Sequence, residues 1–282
     1  MLKRILLSVL LCASFLAADE LDSLLAVLES RREDEAWLNL LLGRADYHLV
    51  YVKAGYESNS YFSGRDVGLD QYNVALQAAY HFKGFTATAA GIIYPDLVPR
   101  WNISFLSAGY RLPLSLPLDI DLAYDRYIFH TPVDSLKGSF PNGFRLGLSH
   151  QKPAWGLIAG YTLLAGEGFF SQANVGGHLM LTLFRWGRSG ALRFQPRVDL
   201  LFGNEMVALA LVPGGDPTPD YTYAFGLLNT TFTVPLNFYW GDLDVALAWQ
   251  LNLPRSLDAE AVYTPTHLIS FSLGYAFSIL QK

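Results

Sequence analysis

The sequence is poor in three kinds of feature. Cys12 is its single cysteine, so no intramolecular disulfide can hold the fold. Charged residues make up 16% of the 282 residues, against about 25% in soluble domains. After residue 18, no unbroken apolar run approaches the roughly 20 residues that a membrane-spanning helix needs. These absences exclude a disulfide scaffold and argue against both a bundle of transmembrane helices and an ordinary soluble domain.

Apolar and aromatic residues are abundant instead. Hydrophobic residues make up 51% of the chain and aromatic residues 14%, with 16 tyrosines and 24 glycines. This composition suits a membrane β-barrel better than an enzyme core.

The N-terminus has the features of an export signal. Lys3 and Arg4 precede the apolar run Ile5–Leu16, which ends in Ala17 and Ala18. We expect a signal peptide over residues 1–18, because about 14 uncharged residues are too few for a membrane anchor. A lipoprotein signal at Cys12 is the other alternative, but Leu11 before it is not small. Cleavage leaves 18 basic and 25 acidic residues, a net charge of −7, which argues against binding to nucleic acid.

Residues 19–45 differ in pattern from the rest of the chain. Leu21, Leu24, Leu25 and Leu28 have the spacing of one face of a helix. The segment is predicted to be a periplasmic helix or leader, or alternatively a helix that plugs a barrel formed by residues 46–282.

From Asp46 the pattern changes to a period of two, in which successive side chains point to opposite faces of a sheet. Tight breaks such as Lys83-Gly84 and Gly241-Asp242 alternate with mostly longer ones such as Asn59–Asp70. This predicts an all-β fold, a 12-stranded antiparallel transmembrane β-barrel with a short N-terminal helical extension and both termini in the periplasm. The predicted strands are Tyr47–Ser58, Gln71–Phe82, Phe85–Tyr94, Arg100–Leu112, Leu118–Phe129, Phe144–His150, Trp155–Leu164, Ala173–Phe184, Ala191–Asn204, Leu227–Tyr239, Leu243–Leu253 and Leu268–Ile279.

The last predicted strand has the clearest alternation. Every second residue from Ile269 is large and apolar, and the residues between them are small or polar. Its end resembles the C-terminal assembly signal of bacterial outer-membrane barrels, through Ser272, Gly274, Phe277 and Ile279. The resemblance implies the outer membrane, its lipids and lipopolysaccharide, and the barrel assembly machinery as partners.

Two strands interrupt the alternation. The phase changes between Phe105 and Ala108, which predicts a β-bulge. Pro196 and Pro235 lie inside predicted strands, where proline cannot donate a ladder hydrogen bond, and they also indicate local bulges.

The predicted inward faces carry ionisable groups. A 12-stranded barrel tilted by about 40° has a backbone diameter of roughly 24 Å, so side chains leave a lumen on the order of 10 Å. These groups could fill the lumen as ion pairs or form a constriction that selects small solutes. The candidates for lining the lumen or binding solute are Lys53, Asp125, Arg145, His178, Arg193, Arg197 and Asp199.

The first long break contains the run Tyr61-Phe62-Ser63-Gly64-Arg65-Asp66. It resembles the first loop of a family of uncharacterised, porin-like outer-membrane barrels from Gram-negative bacteria, a resemblance that implies no activity. Arg65, Asp66 and Asp70 could hold the loop inward as a constriction, or the loop could be exposed.

No catalytic or metal-binding pattern stands out among the six scattered histidines. Outer-membrane phospholipases, which share the 12-strand architecture, carry serine and histidine on the lipid-facing surface, but no such pair has a telling spacing here. We therefore expect a passive or weakly selective channel for small hydrophilic solutes, without cofactor or metal. The alternatives are a structural or adhesion barrel with a closed lumen, and a lipid-acting enzyme. The sequence does not indicate an oligomeric state.

Overall fold

The computed structural model describes residues 47–62, 65–66, 71–96, 98–112, 118–130, 141–152, 154–166, 168–187, 190–208, 221–258 and 261–280. The predicted signal peptide and the predicted helical segment lie outside these residues. In the described part of the chain, no helix is long and apolar enough to cross a membrane.

The described residues form sixteen strand segments. In chain order they are β1 (Tyr47–Glu57), β2 (Tyr61–Phe62), β3 (Arg65–Asp66), β4 (Asn73–Phe82), β5 (Phe85–Ile93), β6 (Trp101–Leu112), β7 (Asp119–Phe129), β8 (Asn142–Lys152), β9 (Trp155–Ala165), β10 (Phe169–Leu179), β11 (Leu181–Trp186), β12 (Gly190–Phe194), β13 (Arg197–Ala208), β14 (Tyr221–Trp240), β15 (Leu243–Pro254) and β16 (Thr266–Leu280).

All segments except β2 and β3 belong to one closed antiparallel sheet. The first and last strands close it, since Tyr47 pairs with Leu280 and Glu57 pairs with Ser270. β10 continues into β11 after Met180, and β12 continues into β13 after Pro196. The sheet is therefore a 12-stranded barrel, which confirms the predicted architecture.

The two faces of the barrel wall differ in chemistry, as a wall between lipid and lumen requires. Leu106, Leu122 and Leu247 point outward and are about half exposed, at 48%, 46% and 51%. The inward side chains are mostly polar and buried, among them Gln77, Thr162, Gln172, Asn174 and Asn252. The outer surface is thus apolar while the interior is hydrogen-bonding.

Tight turns connect neighbouring strands at one end of the barrel. Lys83 and Gly84 join β4 to β5 with φ of 47° and 81°, and Gly241 begins the turn between β14 and β15 with φ of 63°. Two-residue turns with positive φ match the twist of the strands that they connect. Phe85 and Trp240 beside these turns are exposed, at the level where aromatic side chains meet a membrane interface.

Three predicted irregularities need correction. The predicted bulge at Phe105–Ala108 is wrong, because the β6–β7 register runs unbroken from Ile103 to Leu112. The extra residue is Asn102, since Ile92 pairs with Ile103 and Ile93 pairs with Trp101.

Pro196 marks a break rather than a bulge. It lies between β12 and β13, and its carbonyl accepts a hydrogen bond from Leu179 N at 3.0 Å. The bulge predicted at Pro235 is also wrong, because Pro235 lies opposite Ala248 in an unbroken β14–β15 register. The carbonyl of Pro235 accepts a hydrogen bond from Gln195 N at 3.3 Å. The two prolines therefore lie diagonally on neighbouring strands, and both carbonyls accept hydrogen bonds although neither nitrogen can donate.

Candidate functional site in the barrel lumen

A cavity of about 380 Å³ lies inside the barrel. On β14 its lining extends from Thr231 to Tyr239, and on β15 from Asp244 to Gln250. Eight residue steps at a rise of about 3.4 Å and a tilt of about 40° correspond to roughly 20 Å along the barrel axis. The cavity therefore spans much of the membrane-facing wall.

One wall of the cavity is apolar and aromatic. It consists of Ile92 on β5, Ile103 and Phe105 on β6, and Tyr127 and Phe129 on β7. The rings of Phe105 and Tyr127 pack with centroids 5.2 Å apart and an interplanar angle of 50°. We call these five residues the aromatic wall. Because β6 keeps its register past Phe105, this bulky side chain points into the lumen rather than toward lipid.

The facing wall is polar. β14 lies six strands from β6 in either direction around the ring, so the two strands are diametrically opposed. β14 contributes Thr231 and Thr233, and β13 contributes Arg197 and Asp199. Together with Asn174 of β10, these residues form what we call the polar wall.

Arg197 and Asp199 form an ion pair within one strand. Arg197 Nε lies 2.6 Å from Asp199 Oδ2, and Arg197 Nη2 lies 2.9 Å from Oδ1. This forked geometry fixes both side chains. Asp199 can take its position because Gly176, its partner on β10, has no Cβ, and an added Cβ would collide with the carboxylate.

Asn174 is a polar residue of the cavity lining whose side chain has no hydrogen-bond partner among the described residues. Its side chain is buried, with the residue 1% exposed, and it lines the cavity. Neither Oδ1 nor Nδ2 has a hydrogen-bond partner among the described residues. Buried amides in proteins nearly always have partners, so the enclosed amide of Asn174 requires a partner that the described residues do not supply.

The seven lumen candidates divide into two groups. Lys53, Arg197 and Asp199 line the cavity. The described lining does not include the remaining four, which are buried or partly buried elsewhere inside the barrel: Asp125, Arg145, His178 and Arg193.

Asp125 and Arg145 form a second ion pair beside the cavity. Arg145 Nη2 lies 3.4 Å from Asp125 Oδ1, and Ser107 Oγ donates to the same oxygen at 2.7 Å. Asp125 is completely buried. These two ion pairs therefore each join residues of the same strand or of neighbouring strands.

His178 and Arg193 lie toward the tight-turn end of their strands. His178 packs over Gly156 and is 4% exposed, and neither ring nitrogen has a partner among the described residues. Arg193 lies over the ring of Tyr239, with 5.4 Å from Cζ to the ring centroid, and Nη1 is 3.7 Å from Met180 Sδ.

The first long loop reaches the cavity through Ser60 and Tyr61, which belong to its lining. Ser60 Oγ donates to the carbonyl of Gln71 at 2.9 Å, which holds the two ends of the loop together. Arg65 and Asp66 form the short strand β3 opposite β2, and Asp70 lies outside the described residues. The predicted constriction by these three residues remains a prediction.

The predicted assembly signal forms the end of β16. Ser272 and Gly274 face the lumen side, whereas Phe277 points outward and is 48% exposed. Ile279 pairs with His48 at the end of the β1–β16 ladder. The role of these residues in assembly remains a prediction.

One serine–histidine pair was not predicted from the sequence. Ser104 Oγ lies 2.8 Å from His130 Nε2 on the outer surface, and Trp101 Nε1 donates to the same Oγ at 2.8 Å. The two residues are 26 positions apart and meet only through the β6–β7 register. Within the described ranges, no carboxylate or amide side chain bonds His130, and no group of three His, Cys, Asp or Glu is placed to hold a metal ion.

The fold and the cavity define a 12-stranded transmembrane β-barrel whose lumen is lined by both apolar and polar side chains. No family model matches the sequence, and no curated protein matches it. Among solved structures, the chain is similar to the NanC porin, with 10% identity and a TM-score of 0.44 over 80% of this chain and 98% of that one. It is also similar to the KdgM porin, with 10% identity and a TM-score of 0.46 over 80% and 99%. An outer membrane channel from Pseudomonas putida F1 gives 11% identity and a TM-score of 0.44 over 82% and 94%.

Proposed function

We propose that this chain is a β-barrel of the bacterial outer membrane and a passive or weakly selective channel for small hydrophilic solutes. The observation that carries the proposal is the cavity of about 380 Å³ inside a barrel whose outer face is apolar. Its lining runs from Tyr239 and Asp244, near the tight turn of β14 and β15, to Glu57 and Ser60 at the other end. Polar groups along this length supply hydrogen bonds that replace those of water.

The proposed orientation follows from the loops. Short turns face the periplasm and long connections face outward, which puts both chain termini in the periplasm. Outer-membrane lipids and lipopolysaccharide are the proposed surroundings, and the assembly machinery is the proposed receptor of the end of β16. Fractionation of expressing cells tests the location, because the protein should need detergent for extraction from the outer membrane. Release into the periplasmic fraction without detergent contradicts it.

Swelling of proteoliposomes tests the transport. Vesicles that contain the refolded barrel should swell in solutions of small neutral solutes, at a rate that falls steeply as solute size rises. Absence of swelling with every solute, from protein that migrates as a folded barrel, contradicts the channel and favours the closed, structural barrel.

A lipid-acting enzyme is the second candidate, because Ser104 and His130 are within hydrogen-bond distance on the outer surface. Release of fatty acid from phospholipid vesicles measures this activity. The matched variants are Ser104→Ala and Ser149→Ala, since Ser149 points into the lumen on β8. Hydrolysis by the wild type and by Ser149→Ala, but not by Ser104→Ala, establishes the enzyme. Absence of hydrolysis from all three proteins rules the enzyme out.

A further inference from the structure

The cavity has two chemically different sides that face each other. The aromatic wall is contributed by β5, β6 and β7, and the polar wall by β10, β13 and β14. A solute in this space touches aromatic and branched aliphatic side chains on one side, and hydrogen-bonding groups on the other. A simple water-filled pore does not need this segregation, whereas a binding site for a molecule with one apolar and one polar side does.

The aromatic wall matches a flat apolar surface. The rings of Phe105 and Tyr127 pack against each other in the cavity lining, and Ile92 and Ile103 extend the apolar surface beside them. Aromatic faces carry partial negative charge, which attracts the weakly positive hydrogens of C–H groups. The axial C–H bonds of a pyranose ring form such a surface, and the hydroxyl groups of the same ring project around its edge.

The polar wall matches hydroxyl groups. Asn174 needs one group that accepts from Nδ2 and one that donates to Oδ1, since both atoms lack partners among the described residues. A hydroxyl does both, whereas a carboxylate or an ammonium group does only one. Gln195 and Asn237 add amides to the lining, and Thr233 adds a hydroxyl.

The charge of the lining selects against acids. Among the lining residues that the structure describes, two cationic side chains, Lys53 and Arg197, are outnumbered by three carboxylates, Glu57, Asp199 and Asp244. Arg197 is neutralised by Asp199 through the forked ion pair. An anionic solute would therefore meet a net charge of one negative unit, and its attraction to the cavity is weak or absent.

We infer that the cavity is a recognition site for a neutral saccharide, whose ring packs on the aromatic wall and whose hydroxyl groups bond to Asn174 and the polar wall. The volume of about 380 Å³ falls within the range of roughly 300–1,000 Å³ of small-molecule sites. The inference rests on the proposed channel function and names its solute class.

Calorimetric titration of the folded, detergent-solubilised barrel tests the inference without requiring conduction. The probes are the neutral sugars glucose and maltose and the acid glucuronate. Saturable heat with at least one neutral sugar, and weaker binding of glucuronate, is the expected result. Glucuronate binding as tightly as or more tightly than the neutral sugars, or no saturable binding of either neutral sugar, overturns the inference.

Two variants assign the binding to the two walls. Phe105→Leu keeps an apolar side chain but removes the aromatic ring, and Asn174→Ala removes the amide. Each should raise Kd about tenfold, the equivalent of one lost contact of ordinary strength. Phe144→Leu is the matched control, because Phe144 points outward on β8 and is 53% exposed. Equal Kd values in Phe105→Leu, Asn174→Ala and this control overturn the placement of the sugar.

Conductance separates failure of the inference from failure of the channel. If the barrel conducts ions but binds neither neutral sugar, the proposed channel function stands and the saccharide site is wrong. If the barrel binds a neutral sugar but does not conduct ions, the saccharide site stands and the channel function is wrong.

Discussion

Tyr51 and Asp244 are joined by a hydrogen bond of 2.7 Å between the tyrosine hydroxyl and Asp244 Oδ2, although their strands β1 and β15 are separated by β16. The bond crosses the lumen side of Gly274, which pairs with Lys53 on one side and Asp244 on the other. A Cβ at position 274 would collide with both Tyr51 and Asp244. The absence of a side chain at Gly274 is thus what allows the barrel to be cross-linked near its closing seam.

Gly274→Ala should therefore destabilise the folded barrel by about 1–3 kcal/mol, the usual cost of overpacking. Gly55→Ala is the matched control, because a Cβ there would meet only Ala75 Cβ at 4.0 Å. Urea unfolding of the refolded proteins in detergent measures both. Equal stability of the two variants would show that the Tyr51–Asp244 bond does not depend on Gly274.

Arg145→Met should cost about 3–5 kcal/mol of unfolding free energy, because it leaves the completely buried Asp125 without its cation. Arg111→Met is the control. Arg111 pairs with Asp121 at 3.0 Å, which is shorter than 3.4 Å for Arg145 and Asp125, but its side chain and that of Asp121 are 21% and 37% exposed. Water screens that pair, so its loss should cost about 1 kcal/mol or less.

The same urea titration compares these two variants. If Arg111→Met is as costly as Arg145→Met, then distance rather than burial decides the strength of the lumen ion pairs. Restoration of stability in the double variant Asp125→Asn with Arg145→Met would confirm that the uncompensated charge is the cause.

Arg197→Ala should make the lumen more selective for cations, because it leaves Asp199 as an uncompensated negative charge in the cavity. It should also raise conductance or lower thermal stability. The reversal potential across a bilayer in a salt gradient measures the selectivity. Arg126→Ala is the matched control, since Arg126 is exposed on the outer surface and bonds to Asn142. If Arg197→Ala changes neither selectivity, conductance nor stability, then Arg197 does not face the permeation path.

The strands could be predicted from the sequence because one face of each strand contacts lipid and the other faces the lumen. In β15 and β16, lipid requires large apolar residues such as Leu247 and Leu273, and the lumen requires small or polar ones such as Ala248 and Ser270. This double requirement leaves a strict period of two that is easily recognised.

The aromatic wall could not be predicted for the same reason. Phe105 is a large apolar residue on a lumen-facing position, so it contradicts the rule by which the strand phases were assigned. A bulky lumen residue and a β-bulge disturb the hydrophobic pattern in the same way, and only the pairing register distinguishes them. The departure from the rule coincides with the candidate site, as expected where function outweighs local consistency.

Two side-chain pairs could not be predicted from the sequence either. Ser104 and His130 are 26 residues apart, and Tyr51 and Asp244 are 193 residues apart. Their contact depends on the stagger between strands, which alternation alone does not determine. By contrast, the inward orientation of Lys53, Arg197 and Asp199 could be predicted from the strand phase alone, and the structure places all three in the cavity lining.

The proposed function requires that the lumen conducts. Single-channel recording of the refolded protein in planar lipid bilayers tests it most directly. The channel account predicts discrete, long-lived current steps that scale with salt concentration, and a selectivity that shifts toward cations in Arg197→Ala. Insertion of protein that is demonstrably folded, with no conductance above that of the bare bilayer, would contradict the account and identify the barrel as closed.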